Sequence, residues 1–106
     1  MDFLYWSTKE PLSINKYGIP EPTSDQIVYP SILLVPLIAF DNHLNRIGYG
    51  SGYYDRYIKK VKKNKKIILI GLAYSFQKVK KIPANKYDMK LDFILTDKNF
   101  IWEFYF

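Results

Sequence analysis

The sequence predicts an α/β domain built on a mostly parallel sheet, and three observations carry that prediction. Two short, continuous apolar runs, Ile32 to Val35 and Ile67 to Leu72, read as strands covered on both faces. Between them Tyr54, Tyr57, Ile58 and Val61 recur at i, i+3, i+4 and i+7, the spacing of one helix face. Strand, helix and strand in that order give parallel neighbours, whose ligands bind beyond the carboxyl ends of the strands.

The elements follow in order along the chain. Met1 to Trp6 reads as a short strand, and Ser7 to Pro30, rich in proline and turn residues, as an extended surface connection. After the first buried strand comes a glycine loop, then a helix from Ser51 to Lys62 with Ser51 able to cap it. Asn64 sits in the turn before the second buried strand, which ends near Gly71. Phe76 to Lys81 is ambiguous. Phe93 to Thr96 is a third strand, and an aromatic tail runs from Phe100 to Phe106 and suits the cover of a sheet edge.

The loop carries the chemistry. Gly48, Gly50 and Gly52 stand at every second position and bare the backbone between a strand and a helix start. Free N–H groups and the positive end of the helix dipole make such a loop an anion cradle. The chain's two arginines, Arg46 and Arg56, flank it. No Gly-Lys-Ser/Thr follows, and the spacing is not that of a dinucleotide fingerprint. Glycines alone fit a tight structural turn as well as a phosphate site. The Tyr-Tyr-Asp-Arg ending, Tyr53 to Arg56, adds weight to a nucleotide and a metal.

Gly48-Tyr49-Gly50-Ser51-Gly52-Tyr53-Tyr54-Asp55-Arg56 resembles the signature of the 5-formyltetrahydrofolate cyclo-ligases, or methenyltetrahydrofolate synthetases. Gly18-Ile19-Pro20-Glu21-Pro22, Leu34-Val35-Pro36, Ala39-Phe40-Asp41, Gly71-Leu72-Ala73-Tyr74-Ser75 and Tyr87-Asp88-Met89-Lys90-Leu91-Asp92 follow in the family's order. The resemblance implies a three-layer sandwich, of which residues 1–106 would be the C-terminal part of a single domain. It also implies use of ATP and Mg2+ to close 5-formyltetrahydrofolate to 5,10-methenyltetrahydrofolate. The formyl oxygen takes the terminal phosphoryl group, N10 attacks the activated carbon, and phosphate leaves.

Residue by residue, the resemblance implies that Arg46, Ile47, Gly48, Tyr49, Gly50, Ser51, Gly52, Tyr53 and Tyr54 bind ATP. Tyr49 to Tyr53 also touch the folate, with Arg46 and Tyr53 in catalytic roles, and Asp55 and Asp88 hold magnesium. Two carboxylates with phosphates and water suffice for that ion. The plainer alternative for Asp55 is an acid favoured in a first helical turn, and for Asp88 a turn residue. Tyr54 lies on the apolar stripe and suits the core, whereas Tyr53 lies off it and suits a ligand. Asp92 reads as a structural acid at a strand start, and His43 as a solvated loop residue.

Composition narrows the class. At 106 residues with 48% hydrophobic and 18% aromatic content, the chain is one small domain with ample core. The absence of cysteine excludes disulfides and thiolate metal sites. No apolar run is long enough for a bilayer, and Met1-Asp2-Phe3-Leu4 does not resemble a signal peptide, so the cytoplasm is expected. Net charge is +6, with seven of sixteen bases between Arg56 and Lys66. That run reads first as a solvated helix end and turn, and alternatively as a patch that steers anionic ATP and folate toward the site.

The family's N-terminal half, with its basic ATP-binding helix and a folate-binding acid, has no counterpart here. Three readings compete: a truncated cyclo-ligase with impaired activity, one half of a split enzyme completed by a separately encoded N-terminal piece or by self-association, and a non-catalytic ATP- or RNA-binding remnant.

Overall fold

Residues 1–50, 52–83 and 89–102 are described by the structure, a computed structural model. The chain forms two compact units, Met1–Pro30 and Ser31–Phe106.

In the first unit β1 (Phe3–Leu4), β2 (Leu12–Ile14), β3 (Pro20–Pro22) and β4 (Ile27–Val28) form two antiparallel pairs, β1 with β4 and β2 with β3. The β2–β3 turn is organised by Asn15, whose side-chain oxygen accepts the Tyr17 and Ile19 N–H groups at 2.9 and 3.1 Å. Gly18 takes φ 75° there, where a Cβ would be strained. Two prolines in three residues confine β3 to an edge. Ser7 to Pro30 is therefore more structured than the extended connection expected, because side-chain-capped turns hold strands too short to show periodicity.

The second unit contains β5 (Ile32–Pro36), β6 (Ala39–Phe40), β7 (Arg46–Ile47), α1 (Tyr53–Lys62), β8 (Ile68–Leu72), a 3-10 turn (Ser75–Gln77), β9 (Phe93–Leu95) and β10 (Phe100–Ile101). Its sheet has the order β10-β9-β8-β5; β5, β8 and β9 are parallel and β10 is antiparallel. The fold is thus α/β with a mixed sheet, and the start of the aromatic tail closes the β9 edge.

The helix turns Tyr57, Ile58 and Val61 into the core, to which the sheet contributes Leu33, Val35, Leu69 and Ile94. Gly71 makes the close fit possible, since a Cβ there would stand 2.6 Å from Leu91 Cδ1 and 3.0 Å from Leu37 Cδ2. Burial alternates along β5 and β8 instead of being continuous: Ile32, Leu34, Ile68 and Leu72 are 55%, 53%, 38% and 43% exposed. The expectation of strands covered on both faces is corrected here. Among the described residues one α-helix accompanies the sheet, so the expected three layers are not present in them.

Helix α1 begins at Tyr53, two residues later than the sequence pattern suggested, with Gly52 in the N-cap position at φ 71°. The expected cap, Ser51, lies outside the described residues, as do Tyr87, Asp88 and Phe104 to Phe106.

Candidate active site at the carboxyl ends of β5 and β8

The hairpin β6–β7 delivers the chain to the glycine loop, and a buried carboxylate builds the hairpin. Asp41, fully buried, accepts the His43 N–H at 2.9 Å, the Asn45 N–H at 3.1 Å and the Asn45 side-chain amide at 3.2 Å. It also accepts the Ile82 N–H at 2.9 Å, and Val79 N–H donates to the Phe40 carbonyl. One acid thereby shapes the turn and ties it to the 79–82 segment. Burial opposes the charge on Asp41, but the hydrogen bonds from Ile82, Asn45 and His43 outweigh it and hold the carboxyl below its ordinary value. The turn places Leu44 at φ 67°, an uncommon conformation for a branched residue.

The loop itself is packed from one side. Arg46 is buried, and its Nη2 lies 3.4 Å from both carboxylate oxygens of Asp55 in the first turn of α1. Its Nε has no hydrogen-bond partner among the described residues. A Cβ on Gly48 would collide with Arg46 Nη1, so the arginine fills the space beneath this glycine. Gly50, at φ 91°, has nothing within 4 Å of the position a Cβ would take. The loop is therefore backed by a guanidinium at Gly48 and open at Gly50.

A cleft of about 560 Å3 lies where the strand ends meet the loop. Leu34, Pro36 and Leu37 come from the end of β5, Leu72, Ala73 and Tyr74 from the end of β8, and Tyr49 and Tyr54 from the loop and helix. Tyr49 donates to the Leu37 carbonyl at 3.4 Å. Gln77 completes the lining and clamps the two strand exits. Its amide nitrogen donates to the Leu37 and Ile38 carbonyls at 3.2 and 3.1 Å, and its oxygen accepts the Tyr74 N–H at 2.7 Å. Asp97 braces the same edge by accepting the Ser75 N–H at 2.7 Å, and that bond lowers its carboxyl pKa.

The structure separates the residues singled out in the sequence. Tyr49 and Tyr54 line the cleft, and Gly48, Gly50 and Gly52 form the loop beside it. Tyr53 is 57% exposed and holds its ring 5.3 Å from the Arg56 guanidinium. Arg46 and Ile47 form β7, with Arg46 turned inward and Ile47 exposed. Asp92 accepts the Leu69 N–H at 2.8 Å between neighbouring strands, a structural task. Sequence reasoning gave no structural role to Asp41, quoted only as part of a strand exit, and none to Gln77. The signal for Asp41 was an Asp-x-x-x-Asn turn following an apolar pair.

Among the described residues no group of three or more His, Cys, Asp or Glu could hold a metal, and Asp55 is the acid beside the glycine loop. One carboxylate with phosphate oxygens and water is a usual magnesium set in nucleotide sites, so Asp55 fits as a partial ligand. Its pairing with Arg46 is then a competing contact.

A glycine loop beside a cleft at the carboxyl ends of parallel strands is the arrangement of a ligand site in an α/β domain. The family model for the 5-formyltetrahydrofolate cyclo-ligase family matches residues 1–97, and the chain belongs to that family. The Haemophilus influenzae 5-formyltetrahydrofolate cyclo-ligase is 41% identical over 99 residues, covering 89% of this chain and 52% of the relative. The Escherichia coli K12 enzyme of the same name is 33% identical over 106 residues, covering 95% and 57%. The solution structure of Aquifex aeolicus 5,10-methenyltetrahydrofolate synthetase superposes with a TM-score of 0.71 at 35% identity, over 90% of this chain and 48% of that one. The chain thus spans about half the length of the curated relatives it matches.

Proposed function

We propose that this chain supplies the nucleotide-binding part of a cytoplasmic 5-formyltetrahydrofolate cyclo-ligase, which uses ATP and Mg2+ to form 5,10-methenyltetrahydrofolate. The observation that carries the proposal is the glycine loop, backed by buried Arg46, opening on the cleft at the carboxyl ends of β5 and β8. Such a reaction relies on positioning and charge neutralisation, which loop N–H groups and a fixed guanidinium provide. Gly48 to Gly52 cradle the phosphates, and Arg46 places positive charge beneath them. Tyr49, Tyr54 and Tyr74 offer aromatic rings for a purine or pterin in a cleft otherwise lined by aliphatic side chains and Gln77. Asp55, with Asp88 as the second acid, would hold magnesium, which neutralises phosphate charge when bound. The chain spans about half of its relatives' length, and full turnover is taken to need residues equivalent to the rest as well.

The exposed lysines at the end of α1, Lys59, Lys60, Lys62 and Lys63, favour a second reading, a basic module that binds ATP or RNA without catalysis. Calorimetric titration with ATP separates the two. The cyclo-ligase reading expects weak binding that magnesium strengthens and that Gly48→Val abolishes. Salt-sensitive RNA binding with no ATP competition supports the basic module instead.

A further inference from the structure

Phe76 is the most exposed large hydrophobic side chain among the described residues, at 81%. Its ring is stacked on that of Tyr74, with centroids 5.4 Å apart and planes 7° from parallel. Tyr74 is itself 61% exposed, so the pair stands out into water just past the exit of β8. Neither ring serves the core. An offset stack of two rings leaves an outer face on each, ready to take a further flat ring.

The turn that carries the pair is held firmly. Gln77 accepts the Tyr74 N–H at 2.7 Å through its side-chain oxygen, and its own N–H donates to the Tyr74 carbonyl at 3.0 Å. Its amide nitrogen donates to the Leu37 and Ile38 carbonyls beyond β5, and Asp97, beyond β9, accepts the Ser75 N–H at 2.7 Å. The backbone beneath both rings is therefore ordered in advance, which lowers the cost of binding against them. Tyr74 lines the cleft and Phe76 does not, so Tyr74 belongs to both the cleft wall and the stack. A pre-set ring on a cleft wall, backed by a second ring, suits a flat conjugated group, which gains from stacking what an aliphatic group does not.

We infer that Tyr74 and Phe76 form an aromatic platform at the rim of the cleft, on which a flat ring of the ligand stacks in the order ligand, Tyr74, Phe76. Phe76 is then a positioning residue: it sets the plane of Tyr74 and acts on the ligand through that ring. The inference rests on the cyclo-ligase reading, both of whose substrates carry such a ring, the purine of ATP and the pterin of 5-formyltetrahydrofolate. The glycine loop addresses phosphate, and the platform adds a contact that phosphate alone cannot use.

The test titrates ATP, 5-formyltetrahydrofolate and inorganic triphosphate calorimetrically into the full chain and into Phe76→Leu and Phe76→Tyr. Because Phe76 is exposed, both variants should fold as the parent does. Phe76→Leu keeps an apolar side chain but loses the ring, and should weaken a ring-bearing ligand by about two- to tenfold. Phe76→Tyr should keep the parent's affinity, and triphosphate should bind all three proteins alike. A loss confined to ATP assigns the platform to the purine, a loss confined to 5-formyltetrahydrofolate assigns it to the pterin, and either supports the inference. Unchanged binding of both by Phe76→Leu, an equal loss for triphosphate, or a loss in Phe76→Tyr as large as in Phe76→Leu would overturn it and leave the cyclo-ligase reading standing. A parent chain that binds neither ATP nor 5-formyltetrahydrofolate would overturn both.

Discussion

Arg46 and Asp55 are joined across the glycine loop, with Arg46 Nη2 3.4 Å from each oxygen of the Asp55 carboxylate. The pair links the start of β7 to the first turn of α1, so the segments on either side of the loop are tied together. The guanidinium is almost wholly buried and Asp55 a quarter exposed, which makes the two partners unequal.

That inequality sets the first prediction. Asp55→Ala leaves a buried cation without its partner and should cost about 2–4 kcal/mol, whereas removing both charges with Arg46→Met/Asp55→Ala should cost less. Urea unfolding of the two variants and of Arg46→Met closes the cycle. A double variant less stable than Asp55→Ala would show the pair to be an independent stabiliser.

The glycines should fail for different reasons. Gly48→Ala collides with Arg46 and should displace it, lowering both stability and ATP affinity. Gly50→Val meets no protein atom, so its cost in the free chain comes from its backbone conformation, about 1–2 kcal/mol. Loss of ATP binding by a folded Gly50→Val protein would place the ligand in the open space at Gly50. Unchanged ATP affinity would rule out phosphate binding at the loop.

Acid stability should follow Asp41. Its carboxyl is lowered in the fold, so its contribution is complete above the unfolded value of about 4 and is lost as pH falls through the lower folded value. Urea midpoints measured between neutral pH and pH 3 should fall for the parent. Asp41→Asn should start lower, because its amide presents a donor to the Ile82 and Asn45 donors, and should then depend less on pH. A parallel pH profile for the two proteins would show the acid limb to arise elsewhere.

Gln77 gives a prediction with a binding readout. Gln77→Ala removes three hydrogen bonds that clamp the exits of β5 and β8, at about 1–2 kcal/mol in stability. With the cleft wall loosened, ATP affinity should also fall, and Gln77→Glu should rescue less than a full amide would, since it cannot donate to Leu37. Calorimetry on the two variants checks this.

What the sequence revealed was what periodicity and chemistry encode together. The stripe Tyr57, Ile58 and Val61 faces the core as spaced, and both apolar runs are parallel strands. The glycine loop lies at their carboxyl ends, beside the cleft. One-sided burial of β5 was not legible, because Ile32 to Val35 reads the same whether one face is covered or two. The two-residue strands β6 and β7 carry no period, so the Asp41 turn that orients Arg46 was invisible as architecture. Gln77 acts through backbone groups 39 and 40 residues away, which no local pattern announces.

The most direct test of the central claim is the rate of ATP- and magnesium-dependent methenyltetrahydrofolate formation from 5-formyltetrahydrofolate. It is measured for the purified 106-residue chain, alone and with the unmatched part of the Haemophilus influenzae relative. The account predicts little turnover alone, a marked rise on mixing, and loss of that rise in Gly48→Val. Equal rates with and without the added segment, or none in either case, would contradict it.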